Sequence, residues 1–106
     1  MQNERVFATV NHMDDFNAGN FFRPGDILTL KKDPNNYYDS EAIVVYNMHG
    51  RKCGYIANSV HSVARGTHSA GRLYDKIPDE ISARVRFVTE DCMIVEIVPD
   101  TTVLTE

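Results

Sequence analysis

The side chains of this sequence that could do chemistry are few. Tyr38 and Asp39 stand together between a Pro34-Asn35-Asn36 turn and an apolar run. An aromatic face can stack on a planar group, and an ionised carboxylate can only accept hydrogen bonds. The same two residues also read as turn residues that fix the start of a strand, because Asp caps local backbone groups. Arg84 and Arg86 alternate along a segment whose other face is Ile81, Ala83, Val85 and Phe87. Two guanidinium groups on one side suit a phosphate track, and a merely solvated face has the same pattern. His61 and His68, seven apart on one helical face, raise the question of metal ligation with Cys53 or Cys92. No CxxC, HxxxH or HExxH spacing exists, so a solvated helix face accounts for them better. An enzyme has little support: there is no Ser-His-Asp context, no GxxxxGK[ST] loop and no carboxylate cluster of nuclease spacing. No cofactor or metal is called for.

The elements that must position these groups are short strands. Residues 5–13 alternate Val6, Ala8 and Val10 against Phe7 and Thr9, the period of a strand. Residues 14–25 read as a loop pinned by Phe21 and Phe22, and Ile27–Lys31 as a second strand. Asp33-Pro34-Asn35-Asn36 is dense turn chemistry. Ala42–Tyr46 is the most hydrophobic run and reads as a central strand. Asn47–Gly50 suits a hairpin loop, from which residues 51–56 return. From Asn58 or Ser59 the period changes, with Val60, Val63, Ala64 and Thr67 at helical spacing and Gly71 as the stop. Arg72–Ile77 reads as a short strand before Pro78. Ile81–Val88 and Met93–Val98 flank Thr89-Glu90-Asp91 as a second hairpin, and the tail past Pro99 is expected to fray.

About six strands and one or two short helices, without a strand–helix–strand rhythm, predict a mainly β fold, a small OB-like or SH3-like barrel. At 106 residues the chain is one domain, with its core at about residues 5–98. Hydrophobic residues at 42% and charged residues at 25% exclude disordered and membrane-spanning classes. The polar start contains no signal-peptide core, which points to a cytoplasmic protein without membrane contact. Cys53 and Cys92 lie in separate apolar runs and suit reduced thiols. The net charge of −4 argues against coating nucleic acid by bulk attraction. Its distribution is uneven: residues 51–86 carry 7 basic and 3 acidic groups, whereas residues 87–106 carry none and 5. The central segment can therefore present a local basic face.

Within Gly25–Ile56 the pattern becomes specific: Asp33-Pro34-Asn35-Asn36-Tyr37-Tyr38-Asp39, then Ala42-Ile43-Val44-Val45-Tyr46, then Gly50 and Gly54-Tyr55-Ile56. This resembles the HIRAN family, with VFATVNHM and ARVRFVT falling where that family has its first and penultimate strands. The resemblance spans about residues 5–98, and the chain looks like one of the free-standing small bacterial members. It implies an OB-like barrel that binds DNA and captures the 3′-hydroxyl end of a single strand, in proteins associated with DNA repair or replication. By the same resemblance Tyr38 stacks on the last base, Asp39 accepts from the terminal hydroxyl, Tyr55 stands where the family commonly has His, and Phe87 supplies another aromatic wall. Asn11 and His12 fall where some members carry a basic–aromatic pair, implying a phosphate contact and a stacking role. Arg51, Lys52, Arg84 and Arg86 are the basic side chains expected along the DNA. The implied partners are single-stranded DNA or its 3′ ends, together with a DNA-processing enzyme. A protein-interaction or structural β-barrel that keeps the fold without DNA stands beside this reading, favoured by the net acidity and the altered first strand.

Overall fold

Six strands with alternating buried and exposed positions close on one another in a computed structural model that describes residues 5–11, 22–59, 63–89 and 92–98. They are β1 (Phe7–Asn11), β2 (Ile27–Asp33), β3 (Ala42–Tyr46), β4 (Lys52–Ile56), β5 (Glu80–Val88) and β6 (Met93–Val98), with one helix, α1 (Ala70–Tyr74). The strand order β1-β4-β3-β2-β5-β6 returns to β1, so the sheet is a closed antiparallel barrel. Closure leaves no unpaired edge, and small inward residues make it possible in so narrow an interior. Ala8, Cys53 and Ala83 are fully buried beside Leu28, Leu30, Ile43 and Met93. Strand β3 is buried from Ala42 to Val45 because α1 packs over it from outside. That covering explains a continuous apolar run where one-faced strands alternate.

The β3–β4 hairpin forms as its residues predict. Asn47 Oδ1 accepts the N–H groups of His49 (2.9 Å) and Arg51 (3.0 Å), and Gly50 takes φ +79°. Phe22 packs against the core, while Phe21 and His12 lie outside the described residues.

The helical segment differs from expectation. Its residues 60–62 lie outside the described residues, and residues 63–69 are not helical. Ala64-Arg65-Gly66-Thr67 turns sharply, with Gly66 at φ +88° and the Thr67 N–H on the Ala64 carbonyl at 3.0 Å. The helix starts later, capped by Ser69, whose side chain accepts the Arg72 N–H at 3.3 Å. Gly71 therefore sits inside α1 and does not end it. A Cβ there would lie 3.1 Å from Glu41 Oε1 and 3.2 Å from Asn58 Oδ1, so its lack of a side chain serves close approach. Arg72–Ile77 is not a strand, because Leu73 is buried on the helix and the Lys76 N–H folds back to its carbonyl at 2.8 Å. His68 is likewise not on a helix: its N–H donates to the Phe7 carbonyl at 2.7 Å beside β1.

Strand β5 holds a further correction. Its register against β6 shifts between Val85 and Phe87. The extra residue, Arg86, is a β-bulge, and it moves every later side chain to the opposite face. Phe87 consequently pairs with Ile94 on the outer face and is 63% exposed, while Val88 packs against the core.

Candidate functional site

The turn after β2 is built by Asx side chains that satisfy backbone N–H groups no strand can reach. Asn36 Nδ2 donates to Asp33 Oδ2 at 3.3 Å, while Asn36 Oδ1 accepts from the N–H groups of Tyr38 (2.9 Å) and Asp39 (3.1 Å). Asp39 Oδ1 in turn accepts the Glu41 N–H at 2.9 Å, just before β3 begins. With its backbone held this way, the Tyr38 ring projects into solvent at 91% exposure. Tyr37 stands edge-on to it, ring centroids 5.0 Å apart. Asp39 Oδ2 accepts from Asn58 Nδ2 at 3.1 Å, and Asn58 Oδ1 accepts the Gly71 N–H at 2.8 Å. One chain of hydrogen bonds thus ties the turn, the segment after β4 and α1 together. A carboxylate has roughly four acceptor positions, so Asp39 keeps capacity for a ligand beyond these two bonds.

These parts line a cleft of about 550 Å³. Its lining includes Asn36, Tyr38 and Asp39 from the turn, Tyr55 and Asn58 from the end of β4 and the segment after it, Asn11 from the end of β1, and the apolar Ile43 and Ile56. Asn11 pairs with Tyr55 across β1 and β4, which brings together positions remote in sequence. The Asn11 Oδ1 atom is buried without a hydrogen-bond partner. Such an orphaned acceptor costs about 1–3 kcal/mol, which a ligand donor can recover. Among the described residues the lining holds one carboxylate and no Lys, Arg or His.

Of the ten residues singled out from the sequence, the structure gathers Asn11, Tyr38, Asp39 and Tyr55 in this cleft. His12 lies outside the described residues. Phe87 does not line the cleft, since the bulge turns it onto the outer face beside β6. Arg86 is engaged by Glu96 at 3.4 Å, and Arg5 takes the other oxygen of the same carboxylate at 3.4 Å. Arg84 also pairs across the sheet with Glu96. This acidic neighbour offsets the expected phosphate track. Arg51 and Lys52 are exposed at the β3–β4 hairpin, about 13 Å along β4 from Ile56. They flank the opposite end of the hairpin from the cleft. The sequence reading passed over Asn36 and Asn58 as site residues. Asn36 was signalled by its place two residues before Tyr38, but nothing local marks Asn58, whose bond to Asp39 spans 19 positions.

A closed antiparallel barrel with a cleft that joins an aromatic ring to a carboxylate is the form of a small binding module. The chain belongs to the HIRAN domain family, whose sequence model matches residues 7–98. HIRAN domains are DNA-binding modules and not catalytic ones. The crystal structure of the HIRAN domain of human HLTF is similar, with a TM-score of 0.65 at 22% identity, covering 88% of this chain and 72% of that one. None of the curated proteins matches the sequence. Among the described residues no helix is long and apolar enough to cross a membrane.

Proposed function

We propose that this chain binds single-stranded DNA at its free 3′ end, with the last nucleoside in the Asn11–Tyr38–Asp39–Tyr55 cleft. Tyr38 is the stacking platform, Asp39 accepts from the terminal hydroxyl, and Asn11 offers its unpaired acceptor to the base or sugar. The observation that carries the reading is an exposed aromatic ring beside a carboxylate with spare acceptor positions, in one cleft with a buried orphan acceptor. A carboxylate favours a hydroxyl donor over a phosphate, which like-charge repulsion opposes. Among the described residues the one charged group of the lining is the Asp39 carboxylate, which agrees with a site for the nucleoside end and not for a terminal phosphate. With no recognisable catalytic motif in the sequence, such a module serves a DNA-processing enzyme, in a cytoplasmic setting.

A structural or protein-interaction role is favoured by the net charge of −4 and by Asp39 already holding two bonds within the fold. Titrating the protein with short strands that differ only at the 3′ end separates the two. Roughly ten-fold or greater preference for hydroxyl over phosphate supports end capture. Equal binding of both ends removes it, and no binding to either leaves the structural role.

A further inference from the structure

A second concavity, of about 370 Å³, adjoins the cleft and shares Asn58 with it. Its electrostatics are the reverse of the first. Among the described residues its lining includes Arg65 and Arg72 and no carboxylate. Among the described residues Arg5, Lys31 and Arg86 are held in ion pairs, and neither Arg65 nor Arg72 is.

Both arginines sit on backbone that the barrel holds in place. Arg65 occupies the sharp turn from Ala64 to Thr67, whose Gly66 takes the left-handed conformation that a side chain disfavours. That turn is fastened to β1 through Thr9, which is 2% exposed. The Thr9 hydroxyl accepts the Ala64 N–H at 3.1 Å and lies 2.9 Å from the Thr67 hydroxyl. Arg72 is on α1, one residue after the Gly71 N–H that holds Asn58. Asn58 therefore stands between a carboxylate on one side and two guanidinium groups on the other.

A strand whose last nucleoside fills the first cleft must carry its phosphodiesters out of it. Among the described residues the cleft offers no cation to meet them, and the neighbouring pocket offers two. Resting on the single-strand reading above, we infer that the Arg65–Arg72 pocket takes the backbone phosphates of the nucleotides preceding the 3′ end. A guanidinium donates two parallel hydrogen bonds to phosphate, so it suits this role better than an ammonium. Specificity for the end resides in the first pocket, and charge-dependent affinity in the second.

The test is fluorescence anisotropy with a ten-nucleotide thymidine strand labelled at its 5′ end, carrying either a 3′-hydroxyl or a 3′-phosphate, across a salt series. Arg65→Ala and Arg72→Ala should each weaken binding by up to about five-fold at low salt. Each should also reduce the slope of log affinity against log salt by about 0.7. The ratio of hydroxyl to phosphate binding should stay at its wild-type value in both. Arg65→Lys and Arg72→Lys keep the charge and should restore most of the slope, which separates charge loss from a disturbed turn. Wild-type slope and affinity in both alanine variants, with the wild type binding normally, overturns the phosphate pocket while leaving end capture intact. Loss of end discrimination in these variants also overturns the division of labour. Failure of the wild-type protein to bind either strand overturns the single-strand reading, and this inference with it.

Discussion

Replacing Asp39 by alanine separates its two roles, because each is read by a different measurement. Within the fold its carboxylate accepts from the Glu41 N–H at 2.9 Å and from Asn58 Nδ2 at 3.1 Å. A typical intramolecular hydrogen bond contributes about 0.5–1.5 kcal/mol, so two partly exposed ones amount to about 1–2 kcal/mol. In a domain of this size that is a fall in melting temperature of roughly 5–15 °C. In the ligand complex the same carboxylate accepts a charge-assisted bond from the terminal hydroxyl, worth about 1.5–3 kcal/mol. The assay is a cycle: wild type and Asp39→Ala, each titrated with 3′-hydroxyl and 3′-phosphate strands well below both melting transitions. Wild type should prefer the hydroxyl roughly ten-fold or more, and Asp39→Ala should lose most of that preference. Affinity of the variant for the phosphate strand should fall less, or rise as repulsion is relieved. Asp39→Asn is a useful companion. It keeps an acceptor for Glu41 but sets its amide against that of Asn58, whose orientation the Gly71 N–H fixes at 2.8 Å. It should lose both the charge and the Asn58 bond, yet remain more stable than the alanine variant. An alanine variant that is destabilised but discriminates fully would refute the argument, since Asp39 would then be a turn capper only.

Tyr38→Ala should cost roughly 1–3 kcal/mol of binding by removing one stacking platform, while thermal melts stay within error, because the ring is 91% exposed; unfolding of the variant would make Tyr38 structural. Asn11→Ala removes a buried orphan acceptor, so melting should show unchanged or higher stability while titration shows weaker binding; a clear destabilisation would mean that the acceptor is satisfied in solution. Salt dependence of wild-type binding should be shallow, with about two to four counterions released, since few cations adjoin the cleft; a slope near ten would indicate an extended basic surface instead. Burial pushes the Cys53 thiol up from 9.0 to about 12. Between those values the unfolded chain loses this proton and the folded chain keeps it, so the thiol's contribution to stability is intact below about pH 9 and declines as pH rises, by about 1.4 kcal/mol per unit. Denaturant melts across that window should fall less steeply for Cys53→Ala than for wild type, and parallel curves would count against the burial argument.

The six strands, their hairpins and the barrel class are legible in the sequence, because period-two alternation is local and each strand carries its own inner face. Ala8 and Val10, Leu28 and Leu30, and Ile81, Ala83 and Val85 all point inward as the alternation requires. The turn that carries Tyr38 and Asp39 is legible for the same reason, since it is built by hydrogen bonds that each span no more than three positions.

Tertiary structure decided the rest. Helical spacing from Val60 to Thr67 competed with a hydroxyl on Thr9, 58 positions from Thr67, and with Gly66 in a turn, so α1 formed later. A single inserted residue in β5 reversed Phe87, and alternation cannot reveal a bulge that only the pairing with β6 defines. Charge counting likewise promoted Arg86, but its worth depends on Glu96 across the sheet. The cleft itself is assembled from the end of β1, the turn before β3, the start of β3 and the end of β4 with the segment that follows it. Its members meet because the barrel closes, and closure is a property of six pairings that no one segment contains.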